Sequence, residues 1–103
     1  MIAHCVFCDI REGAPAHNLD ALFAQLGTFA RGLEGVISFD AGPNRDFEAK
    51  SARYNAGFVI RFRDADALKA YARHPTHRAL GARLARACNG GAEGIIVFDL
   101  ECA

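Results

Sequence analysis

A phenol and two imidazoles lie within seven positions of each other in Ala70-Tyr71-Ala72-Arg73-His74-Pro75-Thr76-His77. A neutral imidazole can take a proton, and a phenol can donate a hydrogen bond to an oxygen on which charge develops. Together these groups suit proton transfer next to a carbonyl. Position supports that reading for His77. Pro75 stops a helix near His74, and Thr76 is expected to cap a second helix that places His77 in its first turn. The positive end of the helix dipole disfavours an imidazolium there, so His77 is expected to stay neutral, as a base must. Plainer roles exist for the same residues: Tyr71 as a core aromatic whose hydroxyl finds a partner, and His74 as a solvated helix end. The forced bend between Tyr71 and His77 is what favours chemistry.

The helix before the bend runs from Asp64, a capping side chain, to Arg73, with Leu68, Tyr71 and Ala72 on one face. The helix after it continues to about Cys88, with Leu80, Leu84, Ala87 and Cys88 inward and Arg78, Arg83 and Arg86 outward. Upstream, Ile2 to Ile10 has strand composition and looks apolar on both faces, with His4 beside Ile2, Val6, Cys8 and Ile10. Asn18 or His17 opens a helix in which Leu22, Leu26, Phe29, Ala30 and Leu33 recur, with Leu19 and Phe23 alongside, ending at Gly32 and Gly35. Val36 to Gly42 reads as a second strand, Tyr54 to Phe62 as a third and Gly94 to Leu100 as a fourth. In the third, Tyr54, Ala56, Phe58, Ile60 and Phe62 share a face; Arg61, on the other, is either solvated or paired with Asp9 or Asp99. Between strands two and three lies a polar loop, 43–53, carrying one stranded aromatic, Phe47. A loop of that length is either a lid over a pocket or a mobile connection.

The order β-α-β-β-α-β predicts an α+β, ferredoxin-like domain: a four-stranded antiparallel sheet with helices on one face and the second helix broken at Pro75. One domain accounts for the whole span of 103 residues. The first and last strands, apolar on both faces, are expected at the sheet centre. The uncovered face would expose an apolar patch, so a second copy is expected to cover it, sheet against sheet.

Twelve basic residues, ten of them Arg, balance twelve acidic ones, so nothing favours nucleic acid or an anionic membrane. No apolar run reaches transmembrane length, and His4 and Asp9 interrupt the first apolar stretch where a secretory signal would be continuous. Cys5 and Cys8 form C-x-x-C, but in a strand their thiols point to opposite faces and cannot share a metal or a disulfide. With Cys88 and Cys102 they are expected to be free thiols in a reducing cytoplasm. No metal and no cofactor is implied.

Several of these residues together resemble the stress-responsive A/B barrel domain (Dabb) family, part of the larger group of dimeric α+β barrels. The marks are His4 early in strand one, Gly35-Val36, Gly42 and Asn44, Phe62-Arg63-Asp64, Ala70-Tyr71 with His74-Pro75-Thr76-His77, and Val97-Phe98-Asp99. The resemblance implies a dimer whose sheets form a barrel, with a small cavity between sheet and helices in each protomer. One plant relative is a polyketide cyclase that closes a ring by cofactor-free aldol condensation, using a tyrosine and a histidine that match Tyr71 and His77. His4 matches a further histidine at that cavity. Three functions compete: an acid/base enzyme of this kind, with His77 as base and Tyr71 as donor; a dimer that binds or protects without turnover, holding a small apolar or aromatic molecule against Phe23, Phe29, Phe58, Leu68 and Leu84, with Phe47 as a closing residue; and a cofactor-free monooxygenase.

Overall fold

The computed structural model describes residues 1–103. The elements are β1 (Ile2–Cys8), α1 (Ala16–Arg31), β2 (Val36–Pro43), β3 (Ala56–Phe62), α2 (Ala65–Arg73), α3 (Pro75–Arg86), a short 3-10 turn (Gly91–Gly94) and β4 (Ile95–Glu101). All strand pairs are antiparallel and the strand order is β2-β3-β1-β4. This is the ferredoxin-like arrangement that the element order predicts. One expectation fails: β1 and β3 are the central strands, and β4 is an edge. Apolar character on both faces of β4 therefore does not come from burial on both sides. Its outward residues stay open, with Phe98 48% and Leu100 54% exposed.

Strand alternation divides the sheet cleanly. Val6, Cys8, Ala56, Phe58, Ile60 and Phe62 face the helices and are all buried. Register puts Cys5, Phe7, Val59, Ile96, Phe98 and Leu100 on the opposite face, where no element of the chain covers them. Cys5 and Cys8 thus lie on opposite sides, as strand geometry requires. The thiols of Cys8 and Cys88 are both raised by burial, Cys8 to about 12, which leaves them protonated and inert. Arg61 pairs with neither Asp9 nor Asp99; its guanidinium lies 3.8 Å from Asp40 on the neighbouring β2.

The helices form where their apolar spacing meets this core. Leu22, Phe23, Leu26 and Ala30 of α1 recur at three- and four-residue steps and are buried. Asp64 caps α2, its carboxylate accepting from the Ala67 N–H at 2.9 Å. The break at Pro75 is where the sequence places it, but the cap is His74 rather than Thr76. His74 Nδ1 accepts from the Thr76 N–H at 3.1 Å, and Pro75 takes the first helical position, where a missing N–H costs nothing.

Gly35 makes the entry to β2 possible. Its φ of +86° is open to glycine, and a Cβ there would lie 2.5 Å from Ala67 Cβ. Gly81, inside α3, has no such constraint, with nothing within 4 Å of an added Cβ. Gly35→Ala is therefore expected to lower unfolding stability by about 1–3 kcal/mol, and Gly81→Ala to raise it by about 0.5–1 kcal/mol. Urea denaturation, with the slope unchanged and only the midpoint moving, checks both.

Candidate active site

Interrupting the helix leaves backbone groups that must find partners. The Ala72 carbonyl would accept from the Thr76 N–H in a continuous helix, but that N–H is held by His74. His77 supplies the replacement: its Nδ1 lies 3.0 Å from the Ala72 oxygen. A carbonyl only accepts, so Nδ1 carries the proton and Nε2 keeps its lone pair. The bend that moves His77 thus also sets its tautomer.

The His77 ring sits 4.5 Å, centroid to centroid, from that of Tyr71 in the last turn of α2. Tyr71 is only 1% exposed and packs against Phe29 and Phe62. Its hydroxyl has no partner within the chain. Since no fully enclosed side-chain oxygen or nitrogen lacks one, the small exposed part of Tyr71 includes that oxygen. Burial pushes its pKa well above the ordinary phenol value, so it is a neutral donor. His77 moves the other way. Burial lowers its pKa below 6.5 and outweighs the Ala72 bond, which raises it, while His4 and Arg78 nearby lower it further. The neutral imidazole is favoured, with desolvation rather than the helix dipole as the first cause.

His4 joins the group from β1. Its ring meets Tyr71 edge-on at 5.9 Å and Phe62 at 6.0 Å. The His4 Nδ1–H donates to the Asp99 carboxylate at 2.5 Å, across the β1–β4 pair where His4 stands opposite Asp99. Asp99 orients that ring through Nδ1 and leaves Nε2 without a partner. Sequence reading missed this role. Asp99 reaches His4 through the register of β4 on β1, which puts both on the helix side. His74 sits edge-on to Phe29 at 4.8 Å and serves as a cap rather than a solvated end.

The expected apolar lining does not assemble into one wall around Tyr71. Phe29 touches Tyr71, and Leu68 packs at the core margin. Phe23, Phe58 and Leu84 are buried deeper in the core, Phe23 edge-on to Phe58 at 5.7 Å. Phe47 closes over nothing in its own protomer and is 94% exposed. A concavity of about 760 Å³ lies on the uncovered sheet face between Phe7, Val59, Ile96 and Phe98 and the wall formed by residues 50–54. Of the expected lining residues only Phe58 reaches it. No group of three or more His, Cys, Asp or Glu side chains is disposed to hold a metal ion, and no helix is long and apolar enough to cross a membrane.

The sequence profile of the family described as Dabb, Stress responsive A/B Barrel Domain, matches residues 2–102. The chain belongs to the Dabb family. No curated protein matches it in sequence. A dimeric ferredoxin-like protein of unknown function from Jannaschia sp. CCS1 is similar to it at 42% identity, with 98% of each chain covered and a TM-score of 0.92. Two enzymes share the fold at low identity. One is a hydroxynitrile lyase from Passiflora edulis, 13% identical, TM-score 0.82, covering 99% of this chain and 93% of that one. The other is SnoaB, a cofactor-independent oxygenase from Streptomyces nogalater, 13% identical, TM-score 0.74, covering 98% of this chain and 91% of that one.

The lowered pKa of His77 has two readable consequences. Its ring signals, followed by proton NMR, titrate with a midpoint below 6.5; a midpoint at or above 6.5 contradicts the burial described. For stability the sign is fixed. The unfolded chain binds the proton first as pH falls, so this histidine's contribution is complete above 6.5 and is lost progressively below it.

Proposed function

We propose that this Dabb protein is a homodimeric, cofactor-independent acid/base catalyst that acts on a small carbonyl compound at Tyr71 and His77. The observation that carries the reading is the unpartnered Tyr71 hydroxyl beside an imidazole whose Nδ1 is committed to Ala72 and whose Nε2 is free. In the reaction His77 Nε2 takes the proton from a carbon next to a carbonyl. Tyr71 donates a hydrogen bond to the carbonyl oxygen as it becomes an enolate. The enolate carbon then attacks a second carbonyl of the same molecule, and the resulting alkoxide takes the proton back from His77. One C–H bond breaks, one C–C bond forms, and no electrons are exchanged with an outside agent. His4, held by Asp99 through Nδ1, presents its Nε2 edge to the substrate.

The dimer is part of the reading. The apolar sheet face that the chain leaves open needs a cover, and the Jannaschia relative and others of this fold are described as dimeric. Four free cysteines suit a reducing, cytoplasmic setting.

Deuterium incorporation from D2O at the α-carbon of aryl methyl ketones and 3,5-dioxo thioesters reads the first step directly. The wild-type protein is expected to accelerate exchange over buffer. His77→Ala is expected to lower that rate by about 10²-fold or more, and Tyr71→Phe by about 10²–10³-fold. Binding of these compounds with no exchange above buffer would instead describe a carrier.

A further inference from the structure

The loop that joins β2 to β3 is built to hold one side chain out. The Asp46 carboxylate accepts from the Lys50 N–H at 2.8 Å, the Ser51 N–H at 2.9 Å and the Ser51 hydroxyl at 3.0 Å. The Asn44 side-chain amide donates to the Tyr54 carbonyl at 2.6 Å and to the Ser51 hydroxyl at 2.9 Å. Inside this frame Asp46 and Ala49 stand at φ of 46° and 55°, a left-handed conformation that non-glycine residues rarely hold without support. Phe47 sits between them and is 94% exposed. A rigid loop with strained backbone that presents a bare aromatic ring has the properties of an interface anchor. The ordering cost is already met, and aromatic side chains dominate binding hot spots.

The same loop walls the concavity on the open sheet face, yet only its flanking residues line that space. Asn44 and residues 50–54 contribute, whereas Phe47 does not. One chain therefore carries both a projecting ring and an apolar hollow, and its own ring does not enter its own hollow. In a two-fold dimer each patch meets the same patch of the other copy, so a ring at the rim of one hollow is carried to the rim of the other. We propose that Phe47 of each protomer inserts into the sheet-face concavity of a second copy, closing it against Phe7, Gly57, Val59, Ile96 and Phe98. This rests on the dimer of the preceding section and adds which residue each copy lends to the other.

The chain contains no tryptophan, so Phe47→Trp gives a single reporter at a position whose exposure makes substitution harmless to the protomer. Its emission is expected to be blue-shifted and shielded from acrylamide at concentrations where sedimentation shows a dimer, and to turn red and quenchable on dilution to monomer. Phe47→Asp is expected to raise the dimer dissociation constant at least about tenfold with an unchanged circular dichroism spectrum. A dimer in which Trp at 47 stays solvent-exposed, with Phe47→Asp dissociating as wild type does, overturns the insertion and leaves the dimer standing. A wild-type chain that is monomeric at every concentration overturns both.

Discussion

Proline has no amide hydrogen, and most of what is specific to this fold member follows from where Pro75 puts that defect. A continuous helix from Ala65 to Arg86 would satisfy its own backbone and leave its side chains to choose their partners. The interruption instead hands the Thr76 N–H to His74 and the Ala72 carbonyl to His77. Two imidazoles are thereby locked by backbone groups, one as an acceptor and one as a donor. The catalytic reading of His77 depends on the second lock, because a freely rotating ring would offer either nitrogen to a substrate.

Burial then divides the labour between the two central groups. Withdrawal from water disfavours whichever form is charged, so the same environment keeps Tyr71 protonated and His77 unprotonated. Two groups 4.5 Å apart, ring to ring, are both favoured in their neutral forms, with burial as the first cause in each. Aromatic walls from Phe29 and Phe62 also limit competing water, which strengthens any hydrogen bond formed inside. His4 is treated differently: a carboxylate orients it, and that carboxylate comes from another strand.

How legible this was in the sequence depends on the range of each interaction. The Pro75 break, the pairing of Tyr71 with His77 and the inward face of β3 rest on spacing within one segment, and local spacing can be read directly. Thr76 carries the commoner capping side chain and so reads as the cap on α3, whereas the helix starts one residue earlier at Pro75 and His74 caps it by accepting from the Thr76 N–H. Asp99 enters the sequence reading as part of the Val97-Phe98-Asp99 mark and as one alternative partner for Arg61, not as a partner for His4. Its true neighbour depends on which strand lies beside β1 and in which register, and alternation along a single strand says nothing of either. The same ignorance of strand order put β4 at the sheet centre. The cavity lining failed for a related reason: Phe23, Phe58 and Leu84 have the right periodicity to face inward, but periodicity does not distinguish a filled core from the wall of a hollow.

The attachment of His4 to Asp99 carries a cost that comes from topology. Asp99 stands on β4, which is paired on one side only, and an outermost strand can detach at a lower free energy than the globule needs to unfold. Whenever β4 lifts, His4 loses its orienting carboxylate although the core around Ile60 and Phe62 remains intact. Heat therefore frees the His4 ring from Asp99 before it melts the core, and the orientation of that ring is set by a single peripheral ladder.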